Sequence, residues 1–351
     1  MNKENKLIEL LQKKILILDG AMGTMIQREN LKENDFRGDT FANTEINLIG
    51  NNDILNITKK EVIHKIHMLY LESGADIIET NTFNSTMISQ KDYNCEDYSY
   101  ELNYQGGMIA REAVNDYLTK NPDEQKFVAG VLGPTNRTCS MSPDVNDPGF
   151  RNVSFDLLVN DYENSVEALL KAKVDMIFVE TIFDTLNSKS ALMAIKNVEK
   201  KNNIKIPVMV SATITDLSGR TLSGQTVEGF YNSIVHCEPL SVGLNCALGP
   251  KELEPYLIEL NRISEVFISV HPNAGLPNAF GGYDETPQSM GKYIKEWCEN
   301  NYLNIVGGCC GTTPDHVRFM KKIVKNIKPR PSLKKTTDNK MRLSGLEAFN
   351  F

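Results

Sequence analysis

The chain has 351 residues, 41% of them apolar and 24% charged, a composition typical of a folded globular protein and not of a disordered one. Its 38 Lys and Arg residues against 45 Asp and Glu residues give a net charge of -7, which argues against a nucleic-acid partner. We find neither a signal peptide nor an apolar stretch of the roughly 20 residues that a membrane span needs, and therefore expect a cytoplasmic protein.

Eight short strands rich in Ile and Val are predicted, in chain order over residues 15–18, 76–79, 127–132, 176–180, 208–212, 241–244, 266–270 and 304–306. Amphipathic helices are predicted between them, over residues 59–72, 101–117, 155–172, 185–200, 226–235, 250–263, 290–298 and 314–327. Continuous apolar strands that alternate with helices indicate a parallel sheet. Eight such units favour a closed (β/α)8 TIM barrel over an open, doubly wound sheet.

The chain changes character after residue 327. Residues 328–340 are polar and punctuated by proline, which predicts a linker. Apolar residues return only in the last nine positions, 343–351. We therefore divide the chain into a barrel over residues 1–327 and a linker with the beginning of a second domain over residues 328–351.

Three cysteines follow predicted strands: Cys246 after the sixth, and Cys309 and Cys310 after the eighth. In a TIM barrel the reactive residues lie at these carboxyl ends, so the three thiols should meet at one mouth. Adjacent residues of a regular strand point to opposite faces, so the backbone must turn at Cys309, and Gly307, Gly308 and Gly311 allow this. The pattern predicts a zinc ion held by three thiolates with the fourth position open.

The alternative for Cys309 and Cys310 is a strained vicinal disulfide or a pair of inert core thiols. The chain has seven cysteines, an odd number, and without a signal peptide this favours reduced thiols or metal ligands over a disulfide framework. The other four are expected to be small, mostly buried side chains: Cys95, Cys139, Cys237 and Cys298.

Three thiolates around one zinc ion leave a net charge of -1. Such a centre is poor at generating hydroxide but suits a fourth thiolate, because coordination deprotonates a thiol that is otherwise protonated near neutral pH. The site is therefore predicted to activate a thiol substrate for attack on an electrophilic carbon.

Six segments carry a resemblance to a known family: residues 17–27, 51–55, 74–83, 243–250, 272–277 and 307–314. They are similar to the homocysteine-binding modules of cobalamin-dependent methionine synthases, a branch of the homocysteine S-methyltransferase family. The resemblance covers about residues 10–327. Residues 19–24 and 51–53 resemble the cobalamin-dependent branch in particular, and residues 343–347 are similar to the opening of the folate-binding domain that follows in those enzymes.

The resemblance implies methyl transfer from methylcobalamin to the thiolate of L-homocysteine, giving L-methionine. The homocysteine thiolate would be held by zinc on Cys246, Cys309 and Cys310. Cobalamin-binding and folate-binding modules, in cis or in trans, would supply methylcobalamin and 5-methyltetrahydrofolate. Other family members use S-methylmethionine or betaine as the donor, and a non-catalytic module that binds homocysteine or zinc is a further alternative.

The resemblance also implies roles for individual side chains. Glu180 would meet the substrate ammonium, and the turn at Asp19 and Gly20 would form another wall of the site. The substrate carboxylate would be bound by Asn81, Thr82 and Thr135.

Asn273 has two possible roles: its side-chain oxygen is the fourth zinc ligand when homocysteine is absent, or it shapes the local turn. His64 and His67 are predicted to be surface or packing residues. His271, near the rim, is predicted to be a structural histidine with its hydrogen bonds satisfied, the alternative being that it orients a ligand.

Overall fold

The structure, a computed structural model, describes residues 3–278, 282–331 and 341–351. Its main sheet has eight parallel strands in the order β1-β8-β7-β6-β5-β4-β3-β2. They are β1 Leu16–Ile17, β2 Ile77–Glu79, β3 Phe127–Leu132, β4 Met176–Ile182, β5 Val208–Ala212, β6 Ser241–Asn245, β7 Phe267–His271 and β8 Ile305–Val306. A parallel bridge between Leu18 and Ile77 joins the two edges of this sheet. The predicted (β/α)8 TIM barrel is confirmed.

The described helices are α1 Lys3–Lys13, α2 Met22–Arg28, α3 Glu33–Arg37, α4 Leu55–Thr58, α5 Lys60–Glu72, α6 Met87–Gln90, α7 Ser99–Lys120, α8 Phe155–Lys171, α9 Thr185–Asn202, α10 Val227–Ile234, α11 Pro250–Ile263, α12 Pro287–Glu299 and α13 Pro314–Val324. All eight predicted helices are present. Helix α12 begins three residues before its predicted start, because Thr286 caps its N-terminus and a proline occupies its first turn. Helices α1, α2, α3, α4 and α6 were missed. Four of them have seven residues or fewer, too short for a helical period to show.

Side chains on both faces of the strands are buried, which explains why the strands are continuously apolar. Inside the barrel, Phe178 and Met209 belong to a cluster that also includes Leu7 and Leu11 of α1. Helix α1 therefore closes the amino-terminal end of the barrel and leaves the opposite end to the site. In the described part of the chain, every helix is too short or too polar to cross a lipid bilayer.

A charge cluster around a buried carboxylate lies at the closed end. The carboxylate of Asp76 lies 2.9 Å from Lys14 Nζ, 3.2 Å from Lys321 Nζ and 3.9 Å from Lys126 Nζ. Burial alone would raise the pKa of Asp76, but the three lysines outweigh it and hold this pKa below its ordinary value. This cluster stabilises the junction between β1, β2 and α13.

The end of the chain lies against the barrel. Arg330 is buried and donates from Nη2 to the carbonyl of Ser264 at 2.6 Å. Strands β9 Arg342–Ser344 and β10 Ala348–Asn350 form an antiparallel hairpin, and Asn232 of α10 donates to the carbonyl of Leu343 at 3.0 Å. Most of the predicted linker, residues 332–340, falls outside the described residues, and the second domain stays a prediction.

Candidate functional site

A cavity of about 370 Å³ opens at the carboxyl ends of the barrel strands. Its wall includes three thiols, from Cys246, Cys309 and Cys310, and four acidic groups, from Asp19, Asp53, Glu79 and Glu180. The three thiols, which were predicted to meet at one mouth of the barrel, therefore line one cavity together with the carboxyl groups. No Lys or Arg side chain lines this cavity among the residues that the structure describes.

The three sulfurs have the spacing of a metal site. They lie within 4.8 Å of one another, and Cys246 Sγ is 3.8 Å from Cys310 Sγ. Three sulfurs placed about 2.3 Å from one tetrahedral zinc ion would be separated by about 3.8 Å, whereas a disulfide needs about 2.05 Å. All seven cysteines are free. The thiols therefore fit zinc, and the vicinal-disulfide alternative is not what the structure shows.

The backbone at the end of β6 turns Cys246 toward the other two thiols. Cys246 has a φ of +62° and Ala247 a φ of +54°, two successive left-handed residues that take the chain out of the strand direction. The amide of Cys246 still donates to the carbonyl of His271 at 3.1 Å. Strand β7 therefore fixes the height of this thiol in the barrel.

The glycine cluster performs the turn that was predicted for Cys309 and Cys310. Gly311 has a φ of +82°, and a β-carbon there would lie 2.4 Å from Cγ of Tyr283, so only glycine fits. The amide of Cys309 donates to the carbonyl of Pro272 at 2.9 Å. Like the amide of Cys246, the amide of Cys309 is therefore held by backbone at the carboxyl end of β7.

The thiols of the cluster differ in pKa. Hydrogen bonding with Cys246 and Cys310, followed by burial, raises the pKa of Cys309 well above its ordinary value. Hydrogen bonds from the other two thiols lower the pKa of Cys310 to about 3. The cluster therefore stabilises one thiolate by itself, and a bound cation is what would favour the loss of further protons.

Three of the carboxyl groups lie close enough together for their charges to interact. Burial raises the pKa of Asp19, Glu79 and Glu180, and that of Glu180 reaches about 7. Repulsion from Glu180 raises the pKa of the other two further. Oδ1 of Asp19 is buried without a hydrogen-bond partner among the described residues. This arrangement favours a ligand that carries a positive charge.

Asn245 connects the acidic side to the thiols, and sequence reasoning gave it no role. Its Nδ2 donates to Thr181 Oγ1 at 2.8 Å and to Glu180 Oε2 at 3.2 Å, and it lies 4.0 Å from Cys309 Sγ. Its Oδ1 accepts from the amide of Thr181 at 3.1 Å. Its place directly before a predicted metal ligand was the one available signal.

The residues predicted to bind the substrate fall into two groups. Asp19, Gly20, Asn81 and Glu180 line the cavity. Thr82 and Thr135 are not part of the wall: Thr82 Oγ1 donates to the carbonyl of Val131 at 2.8 Å, and Thr135 Oγ1 donates to that of Arg137 at 2.6 Å. The structure does not bring these two hydroxyls to the cavity.

Asn273 is buried two residues after the end of β7, where its backbone N–H donates to the carbonyl of Leu248 at 3.1 Å. Its side-chain oxygen Oδ1 has no hydrogen-bond partner within the described ranges. An oxygen without a local partner does not support the turn-shaping alternative. The role of fourth zinc ligand stays a prediction.

The histidines occupy packing and surface positions. His67 is fully buried in α5, and His271 packs edge-on against the ring of Phe178, with 5.5 Å between ring centroids. Burial lowers the pKa of both to about 3, so both are neutral. His64 lies near the surface with Nε2 3.0 Å from Asp116 Oδ2. His271 also lines the cavity, and neither of its ring nitrogens has a hydrogen-bond partner among the described residues. Its structural role therefore stays a prediction.

Three further wall residues had no predicted role: Glu79, Asp53 and Tyr283. Glu79 ends a predicted strand, which was a usable signal. Asp53 accepts from Ser85 Oγ at 2.7 Å, and burial raises its pKa to about 6. Tyr283 lies in a long loop and reaches the thiols only through the fold, so the sequence carries no local signal for it.

The chain is similar to known proteins in its sequence and in its fold. The model of the homocysteine S-methyltransferase family matches residues 16–324. Among solved structures, the metallated form of the homocysteine methyltransferase MmuM from Escherichia coli has a TM-score of 0.71 and 21% sequence identity, over 92% of this chain and 99% of that one. Its oxidized form gives a TM-score of 0.72 and its apo form 0.67, each at 20% identity, over 92% of this chain and 99% and 100% of theirs. At these identities the structures show a shared fold. The family match spans most of the sequence, and the chain belongs to the homocysteine S-methyltransferase family.

Proposed function

We propose that the protein transfers a methyl group from methylcobalamin to the sulfur of L-homocysteine, forming L-methionine, with zinc as its resident cofactor. The observation that carries this proposal is the group of three free thiols within 4.8 Å of one another, in one cavity with four carboxyl groups. Zinc held by Cys246, Cys309 and Cys310 would act as a Lewis acid that keeps a substrate thiol deprotonated at neutral pH.

The cavity offers the complementary groups for the rest of an amino acid. Glu180 and Asp19 would bind the substrate ammonium. Burial disfavours the ionised form of both carboxyl groups, and a neighbouring positive charge would stabilise it. Asn81 and the turn at Gly20 border the same cavity and would contact the carboxylate side. Asn273 would supply an oxygen ligand in the absence of substrate, and the substrate thiol would replace it.

The choice of donor rests on the sequence. Residues 19–24 and 51–53 resemble the cobalamin-dependent branch, and Gly23, Asn52 and Asp53 from these segments line the cavity. Methylcobalamin would supply the methyl group and keep the electron pair of the carbon–cobalt bond. The substrate thiolate held at Cys246, Cys309 and Cys310 would supply the electrons of the new sulfur–methyl bond after loss of the thiol proton. The corrin would be presented by a cobalamin-binding module, in cis or in trans, and a folate-binding module would remethylate it from 5-methyltetrahydrofolate.

The test is to incubate the zinc-loaded protein with homocysteine and, separately, methylcobalamin, S-methylmethionine or betaine, and to measure methionine. The proposal expects methionine with methylcobalamin, together with reduced cobalamin, and no product from a Cys310→Ser variant. Product from S-methylmethionine or betaine alone would move the protein to another branch of the family. Tight homocysteine binding without product from any donor would make it a binding module.

A further inference from the structure

We propose that Asn245 is a positioning residue that sets the distance between the metal-binding thiols and the ammonium-binding carboxylate, and so selects the substrate by the length of its side chain. This inference rests on the proposed function, because it takes a thiol amino acid as the ligand. It assigns a specificity role to a residue that binds neither the metal nor a charged group of the substrate by itself.

The side-chain amide of Asn245 is buried, and both its oxygen and its nitrogen form hydrogen bonds. Oδ1 accepts from the amide of Thr181 at 3.1 Å and from Ser211 Oγ at 2.7 Å. Nδ2 has two hydrogens and three acceptors, at 2.8 Å on Thr181, 3.2 Å on Glu180 and 4.0 Å on Cys309. An amide with this many partners in a buried site has one allowed orientation. It therefore acts as a rigid spacer between Glu180 and Cys309.

Backbone strain at Thr181 indicates that Asn245 holds the end of β4 in its conformation. Thr181 has a φ of +53°, which is a rare conformation for a β-branched residue, and the pairing of β4 with β5 shifts register between Val179 and Ile182. Such a conformation persists only where its surroundings enforce it. Two hydrogen bonds hold it: Asn245 Nδ2 donates to Thr181 Oγ1, and the Thr181 amide donates to Asn245 Oδ1. The irregular strand end then directs the carboxylate of Glu180 into the cavity.

A rigid spacing makes the site sensitive to one methylene group. A thiol amino acid must place its sulfur among the cysteines and its ammonium at Glu180 at the same time. Cysteine is one methylene shorter than homocysteine and cannot satisfy both if neither end can move. Discrimination over one methylene is about 10-fold to 200-fold in a well-formed site. Loss of the spacer should allow Glu180 and Cys309 to approach each other and reduce this preference.

The experiment compares homocysteine with cysteine in wild type, Asn245→Ala and Thr181→Ala, the last of which removes only the hydroxyl contact. Binding is measured from the sulfur-to-metal absorption of the Co²⁺-loaded protein, and kcat/KM from the methylated products. Thr213→Val is the matched control, because Thr213 Oγ1 donates to the backbone carbonyl of Asn245 at 3.0 Å and not to its side-chain amide.

We expect the homocysteine-to-cysteine preference to fall about tenfold in Asn245→Ala and about threefold in Thr181→Ala, and to stay at the wild-type value in Thr213→Val. An equal loss for both ligands in Asn245→Ala would show a general structural role and overturn the proposal. Equal binding of homocysteine and cysteine by the wild-type protein would also overturn it. If Asn245→Ala does not fold, an unchanged preference in Thr181→Ala would overturn it. Because binding is measured without a methyl donor, absence of methionine would reject the proposed function while the ratio of dissociation constants still decides the role of Asn245.

Discussion

Glu180→Gln should make the metal-free protein more stable at neutral pH while it weakens substrate binding. Glu180 is only 7% exposed, and burial raises its pKa from the ordinary value of 4.5 to about 7. A difference of about 2.5 pKa units corresponds to about 3 kcal/mol between the protonated and ionised forms. Glutamine has nearly the same shape as glutamate and cannot ionise, so the variant does not have the free-energy cost of a buried negative charge.

The sign follows from proton binding. Below the unfolded-state pKa, Glu180 is protonated in both the folded and the unfolded chain, and the two proteins should differ little. As the pH rises to about 7, the unfolded chain ionises first, so the wild type loses up to about 3 kcal/mol of unfolding free energy that the variant keeps. The stability advantage of Glu180→Gln should therefore grow with pH and level off above about pH 7.

Urea unfolding followed by circular dichroism, at several pH values between about 5 and 8, measures this difference directly. Glu296→Gln on the exposed face of α12 is the matched control and should show no such trend. A stability difference for Glu180→Gln that does not change with pH would refute the assignment of a raised pKa. In the zinc-loaded protein the same variant should raise KM for homocysteine by about 10-fold to 100-fold, since a charge-assisted hydrogen bond is lost.

Three further substitutions test other parts of the structure. Cys309→Ser should lower zinc affinity by at least about 100-fold in competition with a chelator, with an unchanged circular dichroism spectrum; retained zinc would remove this thiol from the ligand set. Gly311→Ala places a β-carbon 2.4 Å from Tyr283 Cγ at a φ of +82°, and should lower both the melting temperature and zinc affinity, at a cost of about 1–3 kcal/mol. Asp76→Asn should lower the unfolding free energy at pH 7 by about 3–5 kcal/mol, because three lysines lose their common partner. Since the pKa of Asp76 is lowered in the folded chain, that difference should shrink as the pH falls through this pKa, as urea unfolding at low pH would show.

The barrel could be predicted because its strands obey a simple rule. Residues 127–132 and 208–212 are buried on both faces, and such strands are apolar throughout and easy to recognise. The three thiols could be predicted as one group for a related reason. In a parallel barrel every strand end lies at the same mouth, so Cys246 and Cys309 meet although 63 positions separate them in the sequence.

The direction of side chains beyond the strand ends could not be predicted. Thr82 and Thr135 both follow strands, yet their hydroxyls donate to nearby backbone carbonyls and not to the cavity, because the alternation of faces ends where the strand ends. The left-handed conformation of Thr181 is equally hidden, since β-branched residues disfavour it. It follows from contacts with Asn245, which lies 64 positions away in the sequence.

The site concentrates features that each lower the stability of the folded chain. Glu180 and its two acidic neighbours are buried together, Thr181 holds a strained φ, and Asp19 Oδ1 and Asn273 Oδ1 are buried without partners among the described residues. A bound cation and a ligand ammonium would relieve these features together, and any ligand that binds only the folded state adds RT ln(1 + [L]/Kd) to its stability. Zinc and homocysteine should therefore stabilise the protein by more when added together than the sum of their separate effects, because the thiol end and the ammonium end of one molecule engage the two halves of the site at once. Melting temperatures of the metal-free protein with zinc, with homocysteine and with both measure this coupling, and additive shifts would show that the two halves bind independently.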